Sequence, residues 1–165
     1  ATVIGLSEDA AEVRRPELDG EDGWSAKDIM AHLRTMDPGY RRFVLDALGP
    51  EASMVSARVR DASAAPPAGG PHYLETSHDL SVLDHVRAME LERAVTMELI
   101  ASLTLDQFDR VSGSHPLFNE LTVMQWLRSY YRHDRQHIAQ IKGVPSDYVP
   151  QFASGKEPDQ RLKRR

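Results

Sequence analysis

The chain of 165 residues contains no cysteine. That excludes a disulfide framework, a Cys-ligated zinc or iron–sulfur site, and a thiol nucleophile of the protein's own. It has no apolar run near the ~20 residues that span a bilayer, so no membrane partner is expected. Charge is not concentrated in one sign: 20 basic residues stand against 25 acidic, a formal balance of −5. With a pI of about 5.8, no nucleic-acid partner is expected, since such a partner needs a concentrated basic face. No secretory leader is recognisable and no Met opens the chain, so a trimmed N-terminus and a cytoplasmic location are expected. No segment alternates polar and apolar residues long enough to make a strand. No Ser/His/Asp order and no Gly-rich phosphate loop is found.

What is present favours helices. An apolar fraction of 41% supports one packed domain. Four segments read as capping boxes, a Ser or Thr followed three residues later by an acid or Gln: Ser25–Asp28, Ser81–Asp84, Thr104–Gln107 and Thr122–Gln125. Trp24 and Ile29 stand at the staple positions of the first, Leu121 and Trp126 at those of the last. The patterns predict long helices over about Ala26–Leu48, Val82–Leu103 and Val123–Lys142, with a short turn of helix at Leu105–Arg110. Gly49-Pro50 closes the first, and Gly143 with Pro145 closes the third. Pro38-Gly39 interrupts the first helix, but its stripe (Ile29, Leu33, Met36, Tyr40, Phe43, Val44, Ala47) keeps phase. A kink is therefore expected rather than a restart capped by Asp37. Asp61–Pro71 and most of Leu74–Asp79 read as linker. About 30 residues separate the first two long helices, enough for a crossover that lets them lie parallel. Only Ala1–Glu12 is left to supply a fourth helix. Residues 1–149 form the expected bundle, and 150–165 a solvated polar tail.

Seven histidines are the chemical feature. His133 and His137 lie four apart, about 40° from each other on a helical wheel. They continue the stripe of Val123, Trp126 and Tyr130, so they point into the bundle. His32 intrudes in the same way on the first long helix. Imidazoles facing inward must be hydrogen-bonded or metal-bound. A pair alone is as well explained by satisfied core residues; a third inward His favours a shared cation. Three imidazoles and an open position suit catalytic zinc, and imidazole also suits nickel, iron and copper. A zincin protease is set aside: Asp134 stands where those enzymes carry Glu, and no third ligand follows His137. His78, His85, His72 and His115 read as cap, face or loop residues, His115 with a pocket mouth as its alternative. Asp28 and Asp134 each have two readings. Either could orient a ligand, or Asp28 serves as a cap and Asp134 in a surface ion pair. Tyr130, one turn before His133, could face the pocket.

WSAKDIMAHL, ending on His32-Leu33, resembles the opening signature of the DinB-like four-helix-bundle superfamily. HDRQHIAQI, carrying His133 and His137, resembles its closing motif. LSVLDHVRAMELERAVTMELIASLTLDQF is similar to the family's third helix, and HPLFNELTVMQWL to the approach to the fourth. The likeness covers roughly Gly5 to Lys142. It implies an all-α, up-down-down-up four-helix bundle with a long crossover. It also implies a divalent metal, usually zinc or nickel, on His32, His133 and His137. Characterised relatives include S-transferases that use the low-molecular-weight thiols bacillithiol or mycothiol, and a mycothiol-dependent maleylpyruvate isomerase. Others are labelled only as metal-dependent hydrolases. Little precedes GLSEDA, so the first helix is expected to be short or truncated, with a homodimer partner as one way to complete the bundle. Pro38-Gly39 departs from the family's second helix and would reshape the pocket beyond His32.

The expected function is thus a metal-dependent enzyme acting on a small-molecule substrate, foremost a thiol S-transferase. A hydrolase using metal-activated water is one alternative, and a non-enzymatic metal- or ligand-binding bundle is the other. No catalytic base is assigned.

Overall fold

The computed structural model describes residues 2–14, 23–64, 76–111 and 120–146. Five α-helices appear: α1 (Glu8–Glu12), α2 (Ala26–Leu48), α3 (Ala57–Ala62), α4 (Val82–Ser102) and α5 (Val123–Lys142). Short 3-10 turns occupy Gly49–Met54, Ser77–Asp79 and Leu105–Asp109. Among the described residues there is no strand, only an isolated antiparallel bridge between Val111 and Thr122. None of their helices is long and apolar enough to cross a membrane.

The helix ends follow the cap chemistry. Ser25 Oγ accepts from Asp28 N–H (3.1 Å), and Asp28 Oδ2 accepts from Ser25 N–H (3.0 Å). Thr122 and Gln125 make the same exchange at the start of α5 (3.2 and 2.9 Å). Ser81 caps Asp84 N–H at the start of α4 (3.1 Å). At its far end α5 turns on Gly143, at φ +66°. Gly143 N–H and Val144 N–H then reach back to the carbonyls of Gln140 and Ala139. Only Gly adopts that left-handed conformation at little cost.

Pro38 lies inside α2 without interrupting it, so no restart occurs at Asp37. Proline there removes one backbone hydrogen bond and costs about 3 kcal/mol. Packing on both sides of it holds the helix together. Met36, Tyr40 and Phe43 pack on Trp126 and Tyr130. Next to Tyr40, the fully buried Arg41 donates to Ser63 Oγ, Thr96 Oγ1, the carbonyls of Ala62 and Glu92, and Glu92 Oε2 (2.7 Å). That single guanidinium ties α2 to α3 and α4.

Contacts set the helix directions. The start of α2 (Ala26, Ile29, Met30, Leu33) packs with the start of α4 (Val82, Val86, Met89). Its end (Val44, Leu48) packs with the end of α4 (Val95, Leu99). The two helices are therefore parallel, as the crossover predicts. Helix α5 runs antiparallel to α2: Ile141 meets the start of α2, and Val123 meets its end. The architecture is an all-α bundle of three long helices. The fourth position is supplied by α1, five residues long, in keeping with a short first helix. Buried Lys27 bridges it to α2 through Glu8 (2.9 Å) and Glu12 (2.8 Å).

The described part of the crossover is more structured than a linker. Asp61 and Ala62 end α3 rather than open a loop. Ser56 caps this helix, and Val59, fully buried, inserts among Val44, Val95 and Leu99. Six residues are too few for periodicity to reveal such a helix. Ser77, read as linker, is buried in the turn that precedes α4. His72, His115, residues 65–71 of the first linker, residues 74 and 75 of the second, and the polar tail lie outside the described residues.

Candidate metal centre

Helix α2 carries His32 and α5 carries His133 and His137; their antiparallel packing brings the three together. His133 Nε2 lies 3.2 Å from His32 Nε2 and 3.2 Å from His137 Nε2. Donor nitrogens of all three lie within 4.8 Å of one another, and among the described residues no Asp or Glu joins the group. His133 and His137 are buried, and His32 is partly exposed.

This spacing suits a shared cation better than hydrogen bonding. A neutral imidazole carries at most one proton on Nε2, so His133 Nε2–H can serve only one of its two neighbours. Two ligands 2.0–2.1 Å from one ion at a tetrahedral angle lie about 3.3 Å apart. The second nitrogen of His137 adds a further sign. Gln140 Oε1 accepts from His137 Nδ1–H (2.8 Å), so in the neutral ring Nε2 carries no proton and turns its lone pair toward His133 and the cluster. The donor set therefore fits a divalent cation with three protein ligands and a coordination position left for another molecule.

Around the cluster, Trp24 stacks on His137 and tilts over His32. On the far side, Tyr40 lies 6.3 Å from His133, ring centre to ring centre. Tyr40 in turn stacks on Tyr130 (4.6 Å) and meets Trp126 edge-on (5.8 Å). Tyr130 thus faces the interior of the bundle, with the Arg93 guanidinium 4.3 Å from its ring centre.

Asp28 is a cap, as one of its readings held, and also a junction. Its Oδ2 accepts from Ser25, and its Oδ1 accepts from Ser77 Oγ (2.5 Å) and lies 3.3 Å from His78 Nε2. Burial works to raise its carboxyl, but the bonds from Ser77 and Ser25 outweigh that and hold it below the usual carboxylate range. Asp134 does form an ion pair, with Arg93 (2.7 Å), as its second reading has it; the Asp134 end is mostly covered, and the Arg93 side chain is partly exposed. Burial raises its carboxyl despite Arg93. Asp37 is buried beside it, and burial pushes its carboxyl up to about 7 against the pull of Arg93 and Arg41. Asp37 Oδ1, Asp134 Oδ1 and the Tyr130 hydroxyl find no hydrogen-bond partner among the described residues. His85 is fully buried and donates from Nε2 to Ser77 O (2.8 Å). Burial lowers its tendency to protonate.

The structure brings together the three imidazoles that the sequence singled out. Gln140 has no assigned role in the sequence reading, although i, i+3 from His137 is a legible spacing; Trp24, read there as a helix staple, also lies against His32 and His137, where no wheel can place it.

Comparison with known proteins places residues 2–141 under the model of the DinB superfamily. The uncharacterized protein YuaE of Bacillus subtilis (strain 168) is 28% identical over 126 residues, covering 73% of this chain and 76% of that protein. No solved structure gives a significant match.

Proposed function

The chain belongs to the DinB superfamily, and from that premise we propose that it is a metal-dependent enzyme whose His32, His133 and His137 hold one divalent cation, zinc or nickel. Its reaction is the transfer of a low-molecular-weight thiol, such as mycothiol or bacillithiol, to a small electrophilic substrate. The carrying observation is the convergence of three imidazoles, His133 Nε2 lying 3.2 Å from Nε2 of both His32 and His137, with no carboxylate among them in the described residues. Three neutral ligands leave the ion its full positive charge, and when bound it supplies a Lewis acid that lowers the pKa of a thiol or water at its open position.

The chain's own residues set the conditions for that chemistry. Gln140 Oε1 holds the proton on His137 Nδ1, so that Nε2 stays a donor to the cation. Buried Tyr40 and Tyr130 keep water from the inner side. His32, the partly exposed ligand, marks the side from which a substrate enters. The absence of cysteine fits a nucleophilic sulfur brought by a cofactor. A cytoplasmic location, where such thiols are kept reduced, belongs to the same reading.

Metal analysis of the purified protein beside His137→Ala tests the site, and equal metal content in both rejects it. Incubating the zinc- or nickel-loaded protein with an electrophile and one thiol at a time tests the reaction. A thiol adduct formed only with the loaded protein supports transfer; turnover without any thiol redirects the reading to a hydrolase.

A further inference from the structure

Trp24 lies outside α2, one residue before the N-cap, yet its indole faces two of the three imidazoles. Its ring centre is 4.7 Å from that of His32, at an interplanar angle of 46°. It is 5.9 Å from that of His137, stacked within 19°. The indole also packs on the core cluster of Ala26, Ile29 and Ile141.

Hydrogen bonds fix this placement. Asp28 accepts from Ser25 N–H and from Ser25 Oγ (2.8 Å), clamping the residue that follows Trp24. The same carboxylate accepts from Ser77 Oγ (2.5 Å), which lies just ahead of α4. The backbone at Trp24 is therefore held both by the cap of its own helix and by the returning crossover.

A cation drawing electron density from His32 and His137 makes their rings electron-poor. An indole face is electron-rich, so the stack is stronger in the loaded state than in the empty one. A contact that strengthens on binding raises the affinity.

We propose that Trp24 is a positioning residue of the metal centre: pinned by Ser25, Asp28 and Ser77, it keeps His32 and His137 turned with Nε2 toward His133 and tightens cation binding. The proposal rests on the metal reading of the three histidines. It concerns Trp24 alone; Trp126 stacks instead on Phe43, with ring centres 4.1 Å apart and planes within 7°.

The test compares cobalt(II) and zinc(II) binding by wild type, Trp24→Phe, Trp24→Leu and Trp126→Phe, using competition with a chelator and the visible absorption of the cobalt form. Phe and Leu both refill the apolar space against Ala26 and Ile29, but only Phe offers a ring face. Trp24→Leu should bind about tenfold more weakly, as loss of an outer-shell partner does, with an altered cobalt spectrum. Trp24→Phe and Trp126→Phe should keep the wild-type spectrum and come within about threefold of wild-type affinity, since a ring face is retained at each position. Equal affinity and spectrum for Trp24→Leu, Trp24→Phe and wild type would overturn the role of Trp24 and leave the site standing. No uptake by wild type would instead overturn the metal reading itself, and the proposal with it.

Discussion

Replacing Asp37 by Asn should change how stability depends on pH. Asp37 is 3% exposed, and its carboxyl is pushed from 3.8 up to about 7, foremost by burial. An acid raised on folding holds its proton in the folded state over a range in which the unfolded chain has lost it. Its contribution is therefore fully present below about pH 4 and is lost as pH rises toward 7. The slope for one proton is about 1.4 kcal/mol per pH unit. Over some three units the ionised carboxylate costs on the order of 4 kcal/mol by pH 8. Asn keeps the shape and cannot ionise. Urea unfolding followed by circular dichroism, from pH 4.5 to 8, gives the difference between variant and wild type. The variant should gain on the wild type as pH rises, with the gain levelling off above pH 7. Glu8, Glu12 and Glu51, whose lowered carboxyls act with the opposite sign near pH 4, are present in both proteins and cancel in the difference. A difference that stays constant across the range would refute the buried, proton-holding carboxyl.

Arg41→Met should lower stability by about 3 kcal/mol, because it strands the acceptors on Ala62, Glu92 and Thr96 that the guanidinium satisfies. The urea midpoint should fall with its slope unchanged. Gln140→Leu should weaken zinc affinity about 10- to 100-fold in chelator competition, since His137 loses the acceptor that fixes its tautomer. Unchanged affinity would show that the 2.8 Å contact has no bearing on the site. Thr122→Ala should cost about 1 kcal/mol of stability through the lost N-cap of α5, read as a drop in thermal midpoint without loss of metal at 25 °C.

The fold was most legible where local chemistry decides it. Ser25, Ser81, Thr122 and Gly143 mark helix ends because each satisfies backbone groups within a few residues of itself, and α5 begins and stops where those signals fall. His133 and His137 were readable because a single helical wheel contains both. His32 was readable because it broke an apolar stripe. Long-range satisfaction was not legible. Nothing near Arg41 in the sequence marks it as buried; its partner Glu92 lies 51 residues away. Asp37, beside Pro38, carries no local sign of burial, and it is covered only when α4 and α5 bring Arg93 and Asp134 to it. Val59 belongs to a helix too short to show a period, stabilised by the cluster it enters. Trp24 owes its place to Asp28 and Ser77, a bond that closes only when the crossover returns.

The central measurement is a zinc or nickel titration of the metal-free protein beside His32→Ala, His133→Ala and His137→Ala, with folding checked by circular dichroism. Wild type should take up one ion per chain, and each folded variant should lose most of that affinity. Uptake by all three variants at wild-type strength, or none by wild type, would contradict a cation shared among those three rings.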